Sequence, residues 1–330
     1  MAEGWGGVGP EGRCFVVTGG AAGLGRAAAA RLAGSGAAAV VIAARGAQRA
    51  REVALEVQGS AGGTGRVLGL DLDLTDLSSV LAFPGKLREA GISRVHGLLL
   101  NAGVMFPPER WETPKGWEVT VATNHLGHFA LANVVMPFLV AGGSDGHGAA
   151  RVVMHSSMAH SMCRGGSPLD FSEDGFPHYR GKAYGRTKVY AESKAMNIFH
   201  AAEFNRRLVA LGLDGRVEAM ACHPGASPTE LQRHLGRLGA LYQWVGPLAR
   251  LVGLSHPPEE ACLSLLRGAL DQSLSPGVFI GPKWYIAGPP VEAPSHLSSF
   301  LGGEQGEKIA GNLWDRSVEL TGTDLQAVSD

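Results

Sequence analysis

The chain has 330 residues, 45% apolar and 18% charged, the composition of an ordinary soluble globular protein with ample material for a core. Its 29 basic and 30 acidic side chains nearly cancel, which leaves no electrostatic footprint for nucleic acid or an anionic membrane surface. No run of about 18 apolar residues and no charged-then-apolar leader is visible, so neither a membrane span nor a secretory signal is expected and the default location is cytoplasmic.

Residues 1–12 are Gly-rich and expected to be flexible. Residues 14–17 read as a strand, 23–32 as an Ala-rich helix, 40–43 as a second strand and 47–57 as a second helix. Strands at 67–70 and 95–100 follow, separated by a helix over 77–90 that contains Pro84. One long helix is expected over 116–139, then a Gly-rich turn at 141–148 and a strand at 151–155. A stretch rich in Gly, Ser and Pro covers 158–182, before a helix that ends near 211 and a strand at 217–222. A helical region with Leu235, Leu238, Leu241, Tyr242 and Trp244, a helix near 259–270, a strand at 278–280 and a last helix near 308–320 complete the pattern. Short apolar strands alternating with helices predict a doubly wound parallel sheet in a three-layer α/β/α arrangement, and no composition break divides the span 13–330. Cys14, Cys163, Cys222 and Cys262 have no metal-ligand rhythm and read as small buried hydrophobes in a reducing compartment; no metal is expected.

Chemistry enters at the first turn. The first strand runs into Thr18-Gly19-Gly20-Ala21-Ala22-Gly23-Leu24-Gly25 and then a helix. Glycines there let the backbone turn tightly and approach a pyrophosphate at a helix N-terminus, which predicts a dinucleotide site. The second strand ends in Arg45 where an NAD-preferring site would carry an acid, and no carboxylate follows until Glu52. A guanidinium suits a 2′-phosphate, so NADP(H) is expected over NAD(H). Arg26 could add to it or be a solvated helix residue.

Two Tyr-x-x-x-Lys pairs follow, Tyr184 with Lys188 and Tyr190 with Lys194. Tyr and Lys four apart share a helical face, where the ammonium favours the phenolate and makes the tyrosine an acid/base group. Six helical residues rotate about 600°, so one continuous helix cannot aim both tyrosines at the same pocket. The apolar stripe Ala195, Ile198, Phe199 and Ala202 keeps helical spacing after Lys194, and a helix starting near 184 would be long for a globular domain. Both points favour Tyr190 with Lys194, and leave Tyr184 in a loop or at the start of the helix.

The glycine turn, Asn101-Ala102-Gly103 ending the fourth strand, and Tyr-x-x-x-Lys together resemble the short-chain dehydrogenase/reductase family over nearly the whole chain. Within it, the run Asn124 to Phe129, the segment His223-Pro224-Gly225 and the terminal run Leu313 to Gly322 resemble the branch of retinol dehydrogenases, protochlorophyllide reductases and many bacterial oxidoreductases. The resemblance implies a Rossmann-like fold and an alcohol/carbonyl oxidoreductase with Ser157, Tyr190, Lys194 and Asn124 as the catalytic set, Tyr190 and Lys194 also binding the cofactor. Ser156 is the alternative to Ser157. It further implies that Asp73 contacts adenine, or instead caps the next helix; that Asn101, Ala102 and Gly103 wall a ribose; and that Thr229, preceded by Pro228, binds the nicotinamide carboxamide after Pro224-Gly225. His125 and His128 are read as packing or surface residues. A lid over the substrate is implied near 226–258, and its apolar character points to a lipophilic small molecule. The same character would equally serve core packing or a contact in a homo-oligomer. A catalytically silent NADP-binding regulatory protein on the same fold is the other functional reading.

Overall fold

The computed structural model describes residues 9–163, 176, 178, 184–226, 257–293 and 303–326. Eight strands form one sheet: β1 Cys14–Thr18, β2 Ala39–Ala44, β3 Arg66–Asp71, β4 Gly97–Leu100, β5 Ala150–His155, β6 Val217–Cys222, β7 Phe279–Pro282 and β8 Pro290–Glu292. Their spatial order is β3-β2-β1-β4-β5-β6-β7-β8, and every neighbouring pair is parallel except the antiparallel β7–β8. Strand order reverses between β1 and β4, and in a doubly wound sheet the crevice at such a reversal, beyond the strands' carboxyl ends, is the binding site.

The strands between the edge strands β3 and β8 are buried on both faces, and their side chains alternate between two helical layers. Cys14 and Val16 of β1 point into one apolar cluster while Phe15 and Val17 point into the other. The first cluster packs the sheet against α3 (Leu77–Glu89), α4 (Val119–Val134), α6 (Arg186–Ala210) and α9 (Glu304–Thr321), with Phe83, Phe129, Phe204 and Trp314 fully covered. The second sets it against α1 (Gly23–Gly34), α2 (Ala47–Ala61) and α8 (Leu263–Leu270), through Leu32, Val53 and Leu266. Each large side chain so covered contributes about 1.5–3 kcal/mol.

Three departures from the sequence pattern have local causes. The expected helix over 116–139 is broken into α4 and α5 (Met136–Gly142), bent by 60°. Pro137 in the first turn of α5 has no N–H to give and crowds the carbonyl one turn back, which starts a new helix. Within α4, residues Ala122–Leu126 form a π-helical turn. Pro84, by contrast, sits inside an unbroken α3. Strand β8, too short and Pro-led to show a strand pattern, was absent from the expectation. The expected helix near 259–270 divides into α7 (Pro258–Ala261) and α8. The helical region around Leu235 to Trp244 lies outside the described residues, as do residues 1–8 and most of 158–182. No single helix among the described residues is long and apolar enough to cross a membrane; the bent pair α4–α5 reaches that length only jointly.

Candidate active site

At the carboxyl ends of β1, β2, β4, β5 and β6 lies a cavity of about 720 Å³. Thr18, Gly19, Ala22, Gly23 and Leu24 line it at the start of α1, Arg45 and Asp73 at one side, Asn101, Ala102 and Gly103 along β4, and Ser157, Tyr190, Lys194, Pro224 and Gly225 at the other. Of the residues expected from sequence, Asn124 and Gly25 stand just behind the wall, and Thr229 lies outside the described residues with positions 227–256 of the expected lid.

The cavity fits a dinucleotide on its own geometry. Ala22 caps α1 without a side-chain hydrogen bond, so the first N–H groups of the helix are left for an anion. A Cβ on Gly25 would stand 2.5 Å from both the Gly19 carbonyl oxygen and Asn101 Nδ2, so only glycine lets the turn close there. Arg45 is exposed just past the end of β2 and lines the cavity, where it can meet a ribose phosphate. Arg26 is turned away into a 2.9 Å pair with Glu56, the solvated-helix alternative. Asp73 does not cap α3; Asp76 does, accepting from Ser78 N at 2.9 Å. Asp73 instead accepts from Thr75 N (2.9 Å) and Thr75 Oγ1 (2.7 Å) at the cavity rim.

The two Tyr-Lys pairs separate cleanly in space. Helix α6 begins at Arg186, so Tyr184 precedes it and reaches Glu118 Oε1 at 3.4 Å, with burial and that carboxylate pushing its hydroxyl up to about 12. Burial likewise raises Glu118, which accepts from Thr120 N and Val121 N at the start of α4. Lys188 is mostly exposed, 3.8 Å from Glu192. Tyr190 and Lys194 are both buried inside α6 on the cavity wall, with Lys194 Nζ 5.7 Å from the Tyr190 ring centroid.

The electrostatics correct one expectation. Rather than the ammonium drawing the phenol down, burial pushes Tyr190 up to about 12, opposed by a hydrogen bond with Ser157. Burial also takes Lys194 down to about 8. Its Nζ donates to the His155 carbonyl at 2.9 Å, an oxygen that also accepts from Asn197 Nδ2 at 3.0 Å.

The serines divide the same way. Ser156 Oγ donates to the Lys194 carbonyl at 2.7 Å and is buried, whereas Ser157 is the one bonded to Tyr190 and caps the next turn by accepting from Ala159 N. Asn124, in the π turn, accepts from Val104 N at 2.7 Å and donates to Ser193 Oγ at 2.9 Å; Ser193 in turn donates to the Tyr190 carbonyl. A Cβ on Gly103 would lie 3.2 Å from Asn124 Oδ1 and 3.4 Å from Lys194 Nζ, so the two side chains stand together behind Gly103. His125 and His128 are both fully buried, neither of them at the surface, and burial takes each down to about 3.

Sequence reasoning missed Phe106 and His155. Phe106 adopts φ 51° and sets its ring edge-on to Tyr190 at 5.1 Å; a left-handed aromatic residue leaves no sequence signal. His155, visible as the residue before the two serines, lines the cavity and bonds Asn101. A third feature is the partner of Gly225. It holds φ 73°, and a Cβ there would stand 2.1 Å from the Ile286 carbonyl oxygen, which accepts from Ala226 N. Gly225→Ala is therefore expected to lower unfolding free energy by about 2 kcal/mol or more in urea titrations, through left-handed strain and displacement of the β7–β8 hairpin. Gly311→Ala, in α9 with nothing within 4 Å, is expected to raise it by about 0.5–1 kcal/mol.

His96, Asp145 and His147 form a second polar group, at the opposite end of the sheet, with ligand-type atoms within 4.8 Å of one another. His96 Nδ1 accepts from Cys14 N at 2.9 Å, so Nε2 carries the proton it gives to Asp145 and has no lone pair for a metal. The four cysteines are free, and burial raises each thiol well above its usual range.

The chain is similar to known proteins over most of its length. The short chain dehydrogenase family profile matches residues 13–168. Human retinol dehydrogenase 13 is 30% identical over 321 residues, covering 97% of this chain and 87% of the relative. A probable oxidoreductase of Streptomyces lividans is 40% identical over 224 residues, 68% of this chain and 67% of that protein. Among solved structures, an uncharacterised protein from Mycobacterium paratuberculosis superposes with a TM-score of 0.71 at 28% identity, covering 99% of this chain and 98% of that one.

Proposed function

The chain belongs to the short-chain dehydrogenase/reductase family, in its retinol-dehydrogenase-like branch, and from that premise we propose that it interconverts an alcohol and a carbonyl on a lipophilic small molecule with NADP(H). The observation that carries the reading is the convergence of Ser157, Tyr190 and Lys194 on the wall of one cavity whose other end holds the uncapped start of α1 and Arg45. When bound, the dinucleotide supplies or accepts the hydride. In the reductive direction, negative charge grows on the substrate's carbonyl oxygen as its carbon gains the hydride. Ser157 Oγ donates a hydrogen bond to that oxygen, and Tyr190 gives it the proton that completes the alcohol.

The direction of each pKa suits this division. A tyrosine held up at about 12 keeps its proton until an oxyanion is there to take it. Lys194, lowered to about 8, stays largely cationic at neutral pH, close enough to steady the phenolate that remains and to hold the nicotinamide ribose. Asn124, tied through Ser193 to the Tyr190 carbonyl, fixes the helix turn on which the proton relay depends. The lipophilic substrate is favoured by the apolar composition of the expected lid and by the retinoid named for the human relative.

The test is turnover of NADPH and NADH with a panel of long-chain and aromatic aldehydes and ketones. Oxidation of NADPH by lipophilic carbonyls is the expected result; tight NADPH binding with no turnover of any carbonyl would favour a silent binding protein. The exposed Arg45 is expected to set the cofactor. Arg45→Ala should raise the KM for NADPH roughly 10- to 100-fold by removing a charge-assisted contact to the 2′-phosphate, and leave the KM for NADH nearly unchanged. Equal effects on the two cofactors would remove Arg45 from that role.

A further inference from the structure

Behind the cavity runs a chain of buried and partly buried hydrogen bonds whose directions follow from backbone N–H and C=O groups, which act only one way. Thr18 Oγ1 lies 2.9 Å from Asn101 N and 3.0 Å from Ala102 N, and backbone N–H groups only donate. The hydroxyl therefore accepts twice and has one proton left to give, with His128 Nε2 at 2.9 Å as the nearer acceptor and the Leu99 carbonyl oxygen at 3.3 Å as the other. On the other side of the ring, His128 Nδ1 is 3.2 Å from the Asn124 carbonyl oxygen, which only accepts. A neutral imidazole satisfies both neighbours in a single tautomer, with the proton on Nδ1 and the lone pair on Nε2. Burial keeps the ring neutral, its pKa taken down to about 3.

We propose that His128 is a positioning residue, clamping the backbone carbonyl of Asn124 with one nitrogen and the hydroxyl of Thr18 with the other. The ring thereby locks the π turn of α4 to the end of β1, and so fixes the catalytic turn relative to the dinucleotide turn. The proposal rests on the function argued above in one respect, that Asn124 and the Thr18–Gly25 turn serve hydride transfer and cofactor binding. The far end of the chain makes the lock more than local. Asn101 Nδ2 donates to the Thr18 carbonyl at 2.9 Å, and Asn101 Oδ1 is 3.0 Å from His155 Nδ1. Strands β1, β4 and β5 and helix α4 are thus joined at one level by side chains whose donors all point one way. The π turn makes i→i+5 bonds in place of i→i+4 ones, and the His128 ring adds a side-chain donor at the Asn124 carbonyl within it.

Two amide substitutions divide the clamp. In His128→Asn the side-chain N–H falls near Nδ1 and keeps the bond to Asn124, while the Thr18 hydroxyl loses its nearer acceptor and turns to the Leu99 carbonyl, untying β1 from α4. In His128→Gln the side-chain oxygen falls near Nε2 and keeps Thr18, while the Asn124 carbonyl loses its donor. His128→Asn is expected to retain kcat within about threefold and raise the NADPH Kd about tenfold; His128→Gln should do the reverse, with kcat down about tenfold and Kd nearly unchanged. His128→Phe should impair both. If Asn and Gln each impair kcat and Kd together, as a mere packing role requires, the proposal is overturned. Nitrogen-15 NMR of the histidine-labelled protein, with the His128 signal assigned by its loss in His128→Gln, gives an independent check. The Nδ1–H tautomer is expected and the Nε2–H tautomer refutes the clamp. A wild-type protein that turns over no carbonyl would sink the proposed function, while NADPH affinities across the three variants and the tautomer would still decide the clamp.

Discussion

Tyr190→Phe is expected to cost roughly 10²–10⁴ in kcat while leaving NADPH affinity within a fewfold of wild type. The hydroxyl is the group removed, and it faces Ser157 on the cavity wall, at the other end of the cavity from Arg45 and the start of α1, where most of the contacts expected to hold the dinucleotide lie. The ring stays, so its edge-on contact with Phe106 and its burial in α6 are preserved and the fold has no reason to loosen. Tyr184→Phe supplies the contrast. It removes a 3.4 Å contact to Glu118 before α6 begins, so kcat should hold and melting should fall by only a degree or two. Steady-state turnover and NADPH fluorescence titration of both variants decide the matter. An active Tyr190→Phe beside a dead Tyr184→Phe would exchange the two roles.

Lys194→Met carries the second large effect, and its two parts have opposite signs. Turnover should fall by roughly 10²-fold or more with the loss of the cation beside Tyr190. Stability should rise. The Lys194 pKa is taken from 10.5 to about 8 by burial, which means the folded state holds the charged form at a penalty of about 3 kcal/mol below pH 8. Between about pH 8 and 10.5 the unfolded chain binds the proton that the folded chain has released, so wild-type stability gains with rising pH relative to a variant lacking the amine. Urea titrations at pH 7, 8, 9 and 10 should show Lys194→Met ahead at pH 7 and the gap closing toward pH 10. Loss of the Nζ contact to the His155 carbonyl trims the gain by about 1 kcal/mol, since Asn197 Nδ2 still satisfies that oxygen. A variant less stable than wild type by the same amount at every pH would show that burial of this amine costs nothing. The folded protein would then be carrying no strain for its chemistry at this position.

What the sequence made legible follows from what repeats or is locally self-sufficient. The parallel sheet was readable because β1, β2, β4 and β5 are near-continuous apolar runs, and the dinucleotide turn because Gly25 has no substitute at its position. The position of Tyr190 inside α6 on the cavity wall was readable because apolar spacing after Lys194 stays in phase with one helix. The rest depended on contacts between distant segments. Nothing near Tyr190 announces Phe106, whose left-handed backbone is tolerated only because the surrounding fold determines it. The break in the expected helix over 116–139 was marked by Pro137, but the π turn at Asn124 has no composition of its own. The Tyr190 pKa ran opposite to expectation because burial outweighs the hydrogen bond with Ser157, and the depth of burial is a property of the assembled layers. His125 and His128 read as packing or surface residues from sequence; both are buried, and the second also spans two backbone segments 110 residues apart.

The π turn at Ala122–Leu126 has an architectural consequence. A wide turn is a single extra residue absorbed into a helix, and each extra residue rotates all that follows by about 100°. Helix α4 therefore runs in two phases: before the π turn its start is capped by Glu118, which holds Thr120 and meets Tyr184, while after it Phe129 faces Trp314 in the core. An uninterrupted helix could satisfy one of these allegiances and would swing the other out of reach. The helix works as a gearbox, and Asn124 is the tooth at which the ratio changes.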